Sequence, residues 1–221
     1  YSKINSDRAI KKSYKEIAIT VKVKHKTNIQ NASQFFFKEG PLAILPYKKD
    51  YFAMVWSVNN NYFYENKNNL KNILFGKLKT LLNTNKIINI GEIKTFPINL
   101  NLKTKYFKKN TLILGDGLHA IHPIAGQGFN LVLRDIRKLT ELTSRTLQLG
   151  LLFKNTLILK DFYNSRKPEN NLFGLGVNLT NLFFKDRKYF SSIKKIVLNN
   201  ISNFSFVKRT SQKLADRGFL F

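Results

Sequence analysis

The segment at residues 112–135 constrains the fold of this chain most, because an apolar run, two glycine turns and a helical pattern follow one another there. Residues 111–114 are Thr-Leu-Ile-Leu and end at Gly115, which is the pattern of a fully buried strand. Gly126-Gln127-Gly128 follows and opens a helical pattern that continues to about Leu147. A strand, a loop and a helix in this order predict a mixed α/β chain.

The first sixty residues predict a mostly antiparallel sheet. In residues 16–24 the apolar side chains Ile17, Ile19, Val21 and Val23 fall on one side, so we expect a half-buried strand. Further strands are expected at residues 34–37, 42–46 and 51–58, with a turn at 39–41 and a hairpin turn at 48–50.

Helical patterns dominate the rest of the chain. Leucine and isoleucine recur at helical spacing between residues 66 and 82, which predicts one amphipathic helix, and residues 93–98 predict another strand. From about residue 155 the pattern is helical again, and we expect Pro168 to interrupt it.

Composition excludes several classes of site. The 221 residues contain no cysteine, so disulfides, thiolate metal sites and a cysteine nucleophile are excluded. The net charge of +25 predicts attraction to polyanions, but the basic residues are scattered, and the abundance of Lys, Asn, Ile and Phe is typical of an AT-rich genome. Attraction to an anionic membrane surface is the alternative. No recognised nucleic-acid-binding signature occurs, so we expect no nucleic-acid partner.

Two places in the 112–135 segment can bind one ligand. Asp116 is expected at the carboxyl end of the buried strand, where a carboxylate can accept a hydrogen bond from a sugar or polyol hydroxyl. Gly126-Gln127-Gly128 allows close backbone approach, and a helix start offers free N–H groups to a ligand oxygen with partial negative charge. We therefore predict a cofactor held by a strand end and a helix start.

This segment resembles the second flavin-binding motif of the class A flavoprotein aromatic hydroxylases, particularly the ubiquinone-biosynthesis hydroxylases that act on prenylated phenols. In that family it runs Gly-Asp-Ala-Ala-His, then His-Pro-x-x-Gly-Gln-Gly-x-Asn, then Arg-Asp. The matching residues are Gly115-Asp116-Gly117-Leu118-His119, His122-Pro123-Ile124-Ala125-Gly126-Gln127-Gly128-Phe129-Asn130 and Arg134-Asp135. Gly117-Leu118 replaces the two alanines.

The resemblance implies a partial FAD/NAD(P)-binding fold with an antiparallel substrate-domain sheet and C-terminal helices. The implied domains are a substrate-domain sheet with one helix at residues 1–100, the returning strand and helix of the FAD-binding domain at 101–150, and a C-terminal helical region at 151–221. The family's first motif, Gly-x-Gly-x-x-Gly, does not occur in these 221 residues. We therefore expect the chain to be the C-terminal portion of such an enzyme.

The resemblance also assigns roles to individual residues. Asp116, after Gly115, would bind the ribityl hydroxyls of FAD, and Pro123 would lie beside flavin and substrate. Backbone N–H groups would face the N1–C2=O edge of the flavin and stabilise the negative charge of its reduced form. The residues implied for this are Gly126, Gln127, Gly128, Phe129 and Asn130.

Further residues are candidates for the substrate pocket and the core. Phe37, Leu45, His122 and Pro123 are proposed to line a substrate pocket. His119 and His122 are interpreted as packing or pocket-lining residues, with proton handling as the alternative, because their region is predicted to be a loop and no carboxylate or third histidine completes a metal site. We expect a solvated His25 and a core Trp56.

The implied function is a flavin-dependent monooxygenase. NAD(P)H would reduce FAD, and a flavin C4a-hydroperoxide formed with O2 would hydroxylate a prenylated phenol in ubiquinone biosynthesis. No protein nucleophile or metal is required, so no catalytic side chain is assigned. A cytoplasmic location is expected, with membrane or biosynthetic-complex association left open. Basic and aromatic residues near the C-terminus could contact the inner membrane face: Phe183, Phe184, Tyr189, Phe190, Lys194 and Lys195.

Two alternatives stay open. Because part of the cofactor site has no counterpart in these residues, the chain could be a non-catalytic remnant of a truncated or split gene, or a partner subunit, and we expect it to be inactive alone. Within the same family, a soluble aromatic-acid hydroxylase would need a cationic side chain in its pocket to pair with the substrate carboxylate.

Overall fold

The computed structural model of the chain describes residues 9–83, 86–123, 126–151 and 157–185, without the side chains of Gln127 and of residues 177–185. The chain divides into two compact units, one formed by residues 13–98 and the other by residues 1–12 and 99–221. The domain boundaries expected from the sequence stay a prediction. The membrane-facing residues proposed between 183 and 195 lie outside the described side chains.

The unit at residues 13–98 is built on an antiparallel sheet. Its strands are β1 (Ala9–His25), β2 (Ser33–Phe36), β3 (Pro41–Lys48), β4 (Tyr51–Asn59), β5 (Ile87–Ile90) and β6 (Lys94–Lys103). The order is β2-β3-β4-β1-β6, and β5 also pairs with β1. β1 and β4 are in register from Glu16 opposite Asn59 to Lys24 opposite Tyr51. The antiparallel sheet and the β3–β4 hairpin are therefore confirmed.

Two helices cover one face of this sheet. Asn59 accepts a hydrogen bond from the backbone N–H of Tyr62 at 2.8 Å, and this cap starts α1 (Asn60–Asn66) directly after β4. A 3₁₀ turn at Lys67–Asn69 leads into α2 (Leu70–Leu82). Leu70, Leu74 and Leu78, spaced by four residues, are buried on one face of α2.

The core of this unit lies between α2 and the sheet. The alternating residues of β1, together with Trp56 and Phe52 of β4, pack against the buried leucines of α2. Trp56 is fully buried and its indole N–H donates to the carbonyl of Gly40 at 3.3 Å. The half-buried strand and the core position of Trp56 are confirmed.

The second unit combines short strands with the two longest helices. Its elements after β6 are β7 (Phe107–Lys108), β8 (Thr111–Leu112), a 3₁₀ turn (Gly115–Gly117), β9 (His119–Ala120), α3 (Gln127–Gln148) and α4 (Leu157–Lys185). β9 pairs with β6, and α3 packs against α4. None of the helices described is long and apolar enough to cross a membrane. The mixed α/β fold with an antiparallel sheet and C-terminal helices is confirmed.

Three local predictions were wrong. The expected buried strand at residues 111–114 is the two-residue β8, paired antiparallel with β7, and Leu114 is 36% exposed. The single helix expected at 66–82 is broken at Lys67–Asn69, and its first part starts earlier, at Asn60, where Asn59 supplies the cap.

Pro168 is the third case, because α4 continues through it. A proline removes one helical hydrogen bond, but Phe162 before it and Phe173 after it are both buried. Packing on both sides of the proline therefore overrides its local preference.

Gly40 offers a test of this fold. Its φ is +141°, and a Cβ there would lie 1.8 Å from the carbonyl oxygen of Ser57. We expect Gly40→Ala to lower the free energy of unfolding by at least about 1–3 kcal/mol in urea titrations. Gly76→Ala is the matched control: it lies in α2 with no atom near the new Cβ, and should stabilise by about 0.5–1 kcal/mol. Equal stability of the two variants would contradict the geometry of this turn.

Candidate functional site

The start of α3 presents backbone N–H groups, and no side chain in the described part of the chain caps them. Gly126 occupies the N-cap position in the left-handed region, with φ +60°, and makes no side-chain capping hydrogen bond. The first turn of α3 contains no acidic residue. The first N–H groups of a helix lack partners within it and carry its positive dipole end, so this start suits a ligand oxygen with negative character.

Asp116 lies in a short turn beside this helix. Gly115–Gly117 form a single 3₁₀ turn, closed by the N–H of Leu118 donating to the carbonyl of Gly115 at 2.8 Å. The Asp116 carboxylate is exposed, and the turn contacts α3. The Asp116 turn and α3, whose start is the other predicted half of the cofactor site, are thus in contact within one unit.

Space at both glycine turns is compatible with a flavin. A Cβ added at Gly115 or at Gly126 would meet no atom of the described residues within 4 Å, so both backbones are open to an approaching group on that side. The exposed Asp116 carboxylate is an acceptor suited to ribityl hydroxyls, and the uncapped start of α3 supplies donors. The residues present therefore fit FAD, although the assignment of each of them stays a prediction.

The other predicted flavin residues have mixed surroundings. Phe129 is 71% exposed and Pro123 is exposed, while Asn130 is half-buried. Gly128 is half-buried, with a Cβ position 3.9 Å from Ile121. The side chain of Gln127 lies outside the described residues.

The four residues proposed for a substrate pocket stay predictions. The Phe37 ring is half-buried, stacked on Phe35 and covered by the Lys77 ammonium at 3.9 Å. Leu45 is 41% exposed, whereas His122 is fully buried and Pro123 is exposed. An open cavity of about 430 Å³ in the second unit is lined by none of the four; its residues are Lys105, Tyr106, Phe107, Lys160, Tyr163 and Asn164.

A buried ionic network next to the flavin segment was missed by the sequence analysis. Nε2 of His119 lies 2.7 Å from Oδ2 of Asp135, and Nε of Arg166 donates to Oδ1 of the same carboxylate at 2.7 Å. All three side chains are at most 5% exposed. The sequence analysis did not identify Asp135 as a partner of His119, because the two residues are 16 positions apart and meet only in the fold.

Residues of α4, and Tyr106 in the connection between β6 and β7, complete the network. Arg166 also bonds Glu169 and donates to Asn170 Oδ1 at 2.9 Å. Asn170 donates to Asp135 Oδ1 at 3.2 Å and to the Tyr106 hydroxyl at 3.3 Å. Arg166, Glu169 and Asn170 are three and four residues apart, so they share one face of α4. That spacing, and the places of His119 and Asp135 in the quoted motif, were the signals in the sequence.

The network determines the protonation of its members. Burial raises the pKa of Asp135, but hydrogen bonds from His119 and Arg166 and the positive charge beside it outweigh burial and bring the pKa below its usual value. Burial raises the pKa of Tyr106 to about 12, against a lowering by the hydrogen bond from Asn170. Asp135 is therefore a carboxylate, and Tyr106 a neutral phenol, at neutral pH.

The environment of His25 also differs from the one that the sequence predicted. His25 is fully buried, not solvated: its Nδ1 lies 2.6 Å from the Thr27 hydroxyl and its ring packs on Phe52. The strand end that looked polar is covered, because β5 pairs alongside it. Among the residues the structure describes, no group of three His, Asp or Glu side chains could hold a metal ion.

Comparison with known proteins gives this geometry a context. The family described as an FAD binding domain matches residues 9–148. The chain is 27% identical over 205 residues to the ubiquinone biosynthesis monooxygenase COQ6 of Dictyostelium discoideum, covering 76% of this chain and 41% of the relative. It is 25% identical over 151 residues to the 3-demethoxyubiquinol 3-hydroxylase of Escherichia coli K12, covering 66% and 38%.

A solved structure shares the fold. The p-nitrophenol 4-monooxygenase PnpA of Pseudomonas putida matches with a TM-score of 0.75 at 13% identity, over 95% of this chain and 55% of its own. That similarity concerns the fold alone. The chain spans about two fifths of the length of the two curated relatives.

Removing the Asp135 charge should be costly. We expect Asp135→Asn to lower the free energy of unfolding by about 1–3 kcal/mol or more, because His119 and Arg166 lose the buried carboxylate they share and Arg166 keeps only Glu169. The control is Glu141→Gln on the same helix, which removes an exposed ion pair with Lys138 and should cost less than about 1 kcal/mol. Chemical denaturation at pH 7 measures both.

The same variant should change the acid response. Folding lowers the pKa of Asp135, so this carboxylate stabilises the fold fully above its ordinary pKa of 3.8, and that stability is lost as the pH falls through the lowered value. Asp135→Asn should flatten the loss of stability below pH 3.8. If the variant loses stability below pH 3.8 as steeply as the parent chain does, Asp135 is not paired in the folded state.

Proposed function

Since the chain belongs to the FAD binding domain family, we propose that it holds FAD as part of a monooxygenase that hydroxylates a prenylated phenol in ubiquinone biosynthesis. The observation that carries this proposal is the placement of the Asp116 turn against α3, whose glycine-opened start has no capping side chain. The substrate class is supported by the relatives, two of which are named for ubiquinone biosynthesis or for a demethoxyubiquinol.

Each part of the site has its own task. The Asp116 carboxylate accepts hydrogen bonds from ribityl hydroxyls and so fixes the position of the cofactor along the turn. The N–H groups in the first turn of α3, at Gln127 to Phe129, would stabilise negative charge at the N1–C2=O edge, whereas the N–H of Gly126 already donates to the carbonyl of Pro123 at 3.0 Å. When bound, FAD supplies the redox and oxygen-transfer chemistry, for which protein side chains have no equivalent. We further propose NAD(P)H as the reductant.

Substrate and oxygen require a dry, shaped pocket. An apolar lining suits the prenyl chain of the substrate. The protein positions the phenol ring and excludes water. The reaction therefore needs no catalytic acid or nucleophile from the protein.

The direct test is cofactor binding followed by turnover. The purified chain is titrated with FAD, its visible spectrum is recorded, and NAD(P)H oxidation is followed with a short-chain prenylated phenol. Bound flavin with product formation supports the whole proposal. Bound flavin without turnover indicates a subunit that needs a further polypeptide, and absence of flavin binding supports the non-catalytic alternative.

Asp116 should contribute measurably to cofactor affinity. We expect Asp116→Ala to weaken FAD binding by about 1–3 kcal/mol, since a hydrogen bond to a charged group is lost. Asp161→Ala, which removes an exposed carboxylate from α4, is the matched control and should leave affinity unchanged. Flavin fluorescence titration measures both, and equal affinities for the two variants would remove Asp116 from the site.

A further inference from the structure

We propose that three buried side chains, His119, Asp135 and Arg166, are positioning residues for the flavin. They hold the Asp116 turn against α3, whose start is the second flavin segment, and α4 serves as their anchor. The inference rests on the proposed function, because these two segments are the ones assigned to FAD. None of the three needs to touch the cofactor.

The contact between His119 and Asp135 joins the two flavin segments. His119 follows the Asp116 turn directly, in β9, and Asp135 lies on α3 about two helical turns after Gly128. Their side chains meet at 2.7 Å, at 1% and 0% exposure. A hydrogen bond in such a dry place is strong and strongly directional, so it can set the distance between turn and helix.

The Asp116 turn needs this support. It contains two glycines in three residues, and Gly115 adopts φ +67°, so its own backbone gives little rigidity. Backbone bonds hold it on one side, where the N–H of Lys103 donates to the carbonyl of Leu118 at 2.9 Å. The bond from His119 to Asp135 supplies a tie toward α3.

Asp135 is itself held by α4. Its Oδ2 faces His119, and its Oδ1 accepts from both Arg166 and Asn170. Rotation of the carboxylate toward one partner would break the bonds to the others. Glu169 in turn holds the Arg166 guanidinium, so the position of α4 determines where Asp135 points.

The His119 ring is oriented by this one polar contact. Its Nδ1 is buried and has no hydrogen-bond partner in the part of the chain that the structure describes. Only a donor at the Nε2 position can therefore reproduce the tie. This requirement separates a positioning role from simple filling of space.

A matched pair of variants tests the proposal. His119→Gln keeps an amide donor near the Nε2 position, whereas His119→Asn places its donor near Nδ1 and cannot reach Asp135. We expect His119→Gln to bind FAD nearly as the parent chain does, and His119→Asn to bind roughly tenfold more weakly, the usual lower bound when a group that orients a direct ligand is removed. Affinity is read by flavin fluorescence.

A second readout needs no cofactor. Amide hydrogen exchange at residues 115–123 and 126–130 should rise in both segments for His119→Asn, and in neither for His119→Gln. His25→Leu is the control: it removes another fully buried histidine, in the other unit, and should lower the melting temperature without changing either readout. If His119→Asn does not fold, Arg166→Lys, which keeps the charge but loses the guanidinium fork, replaces it.

The possible outcomes distinguish a failure of the positioning role from a failure of the proposed function. Equal FAD affinity of the Gln and Asn variants, or exchange that rises no more than in His25→Leu, overturns the positioning role and leaves the proposed function intact. If the parent chain binds no FAD, the flavin role is overturned together with the proposed function. A rise in exchange at both segments would then establish the tie as a purely structural one.

Discussion

The Asp135 carboxylate is a full negative charge in a place without water, and the structure of the second unit depends on how that charge is satisfied. Removing an ion from water is expensive, and the cost is recovered only where good geometry and additional hydrogen bonds accompany the opposite charge. Asp135 has both, since His119, Arg166 and Asn170 all donate to it. Its partners come from β9 and α4, so satisfying one charge brings three elements together.

An apolar cluster could hold the same elements with less desolvation, and one lies nearby. Tyr106, Leu118 and Phe162 pack together between the short strands and α4. Apolar contacts, however, are non-directional and tolerate small shifts between elements. The ionic network adds direction: with its lowered pKa, Asp135 stays ionised, and it can bond all its partners in only one arrangement. We infer that the apolar cluster stabilises the unit, whereas the polar network fixes how its elements are aligned with one another.

Apolar residues that recur at a regular spacing predicted the fold well. Alternation in β1 and four-residue spacing in α2 are local signals, and both place the buried side chains correctly. Three of the errors, at residues 111–114, His25 and Pro168, have one cause: each was judged from its neighbours in sequence. Leu114 is exposed because β7 alone pairs with β8 among the described strands, whereas His25 is buried because β5 covers it. Such environments are set by partners distant in the chain.

The same distinction applies to the site. Gly126 and Asp116 are recognisable from sequence because their chemistry is local: a glycine opens a helix, and a carboxylate follows a short strand. A helix start that must offer free N–H groups to a ligand cannot also be capped by its own side chains, so it gives up a normal source of stability. Support then has to come from beneath, at positions that do not contact the ligand. His119 and Asp135 both stand in the quoted motif, but a pattern of residues along the chain does not show that their side chains meet each other and Arg166, which comes 31 residues after Asp135.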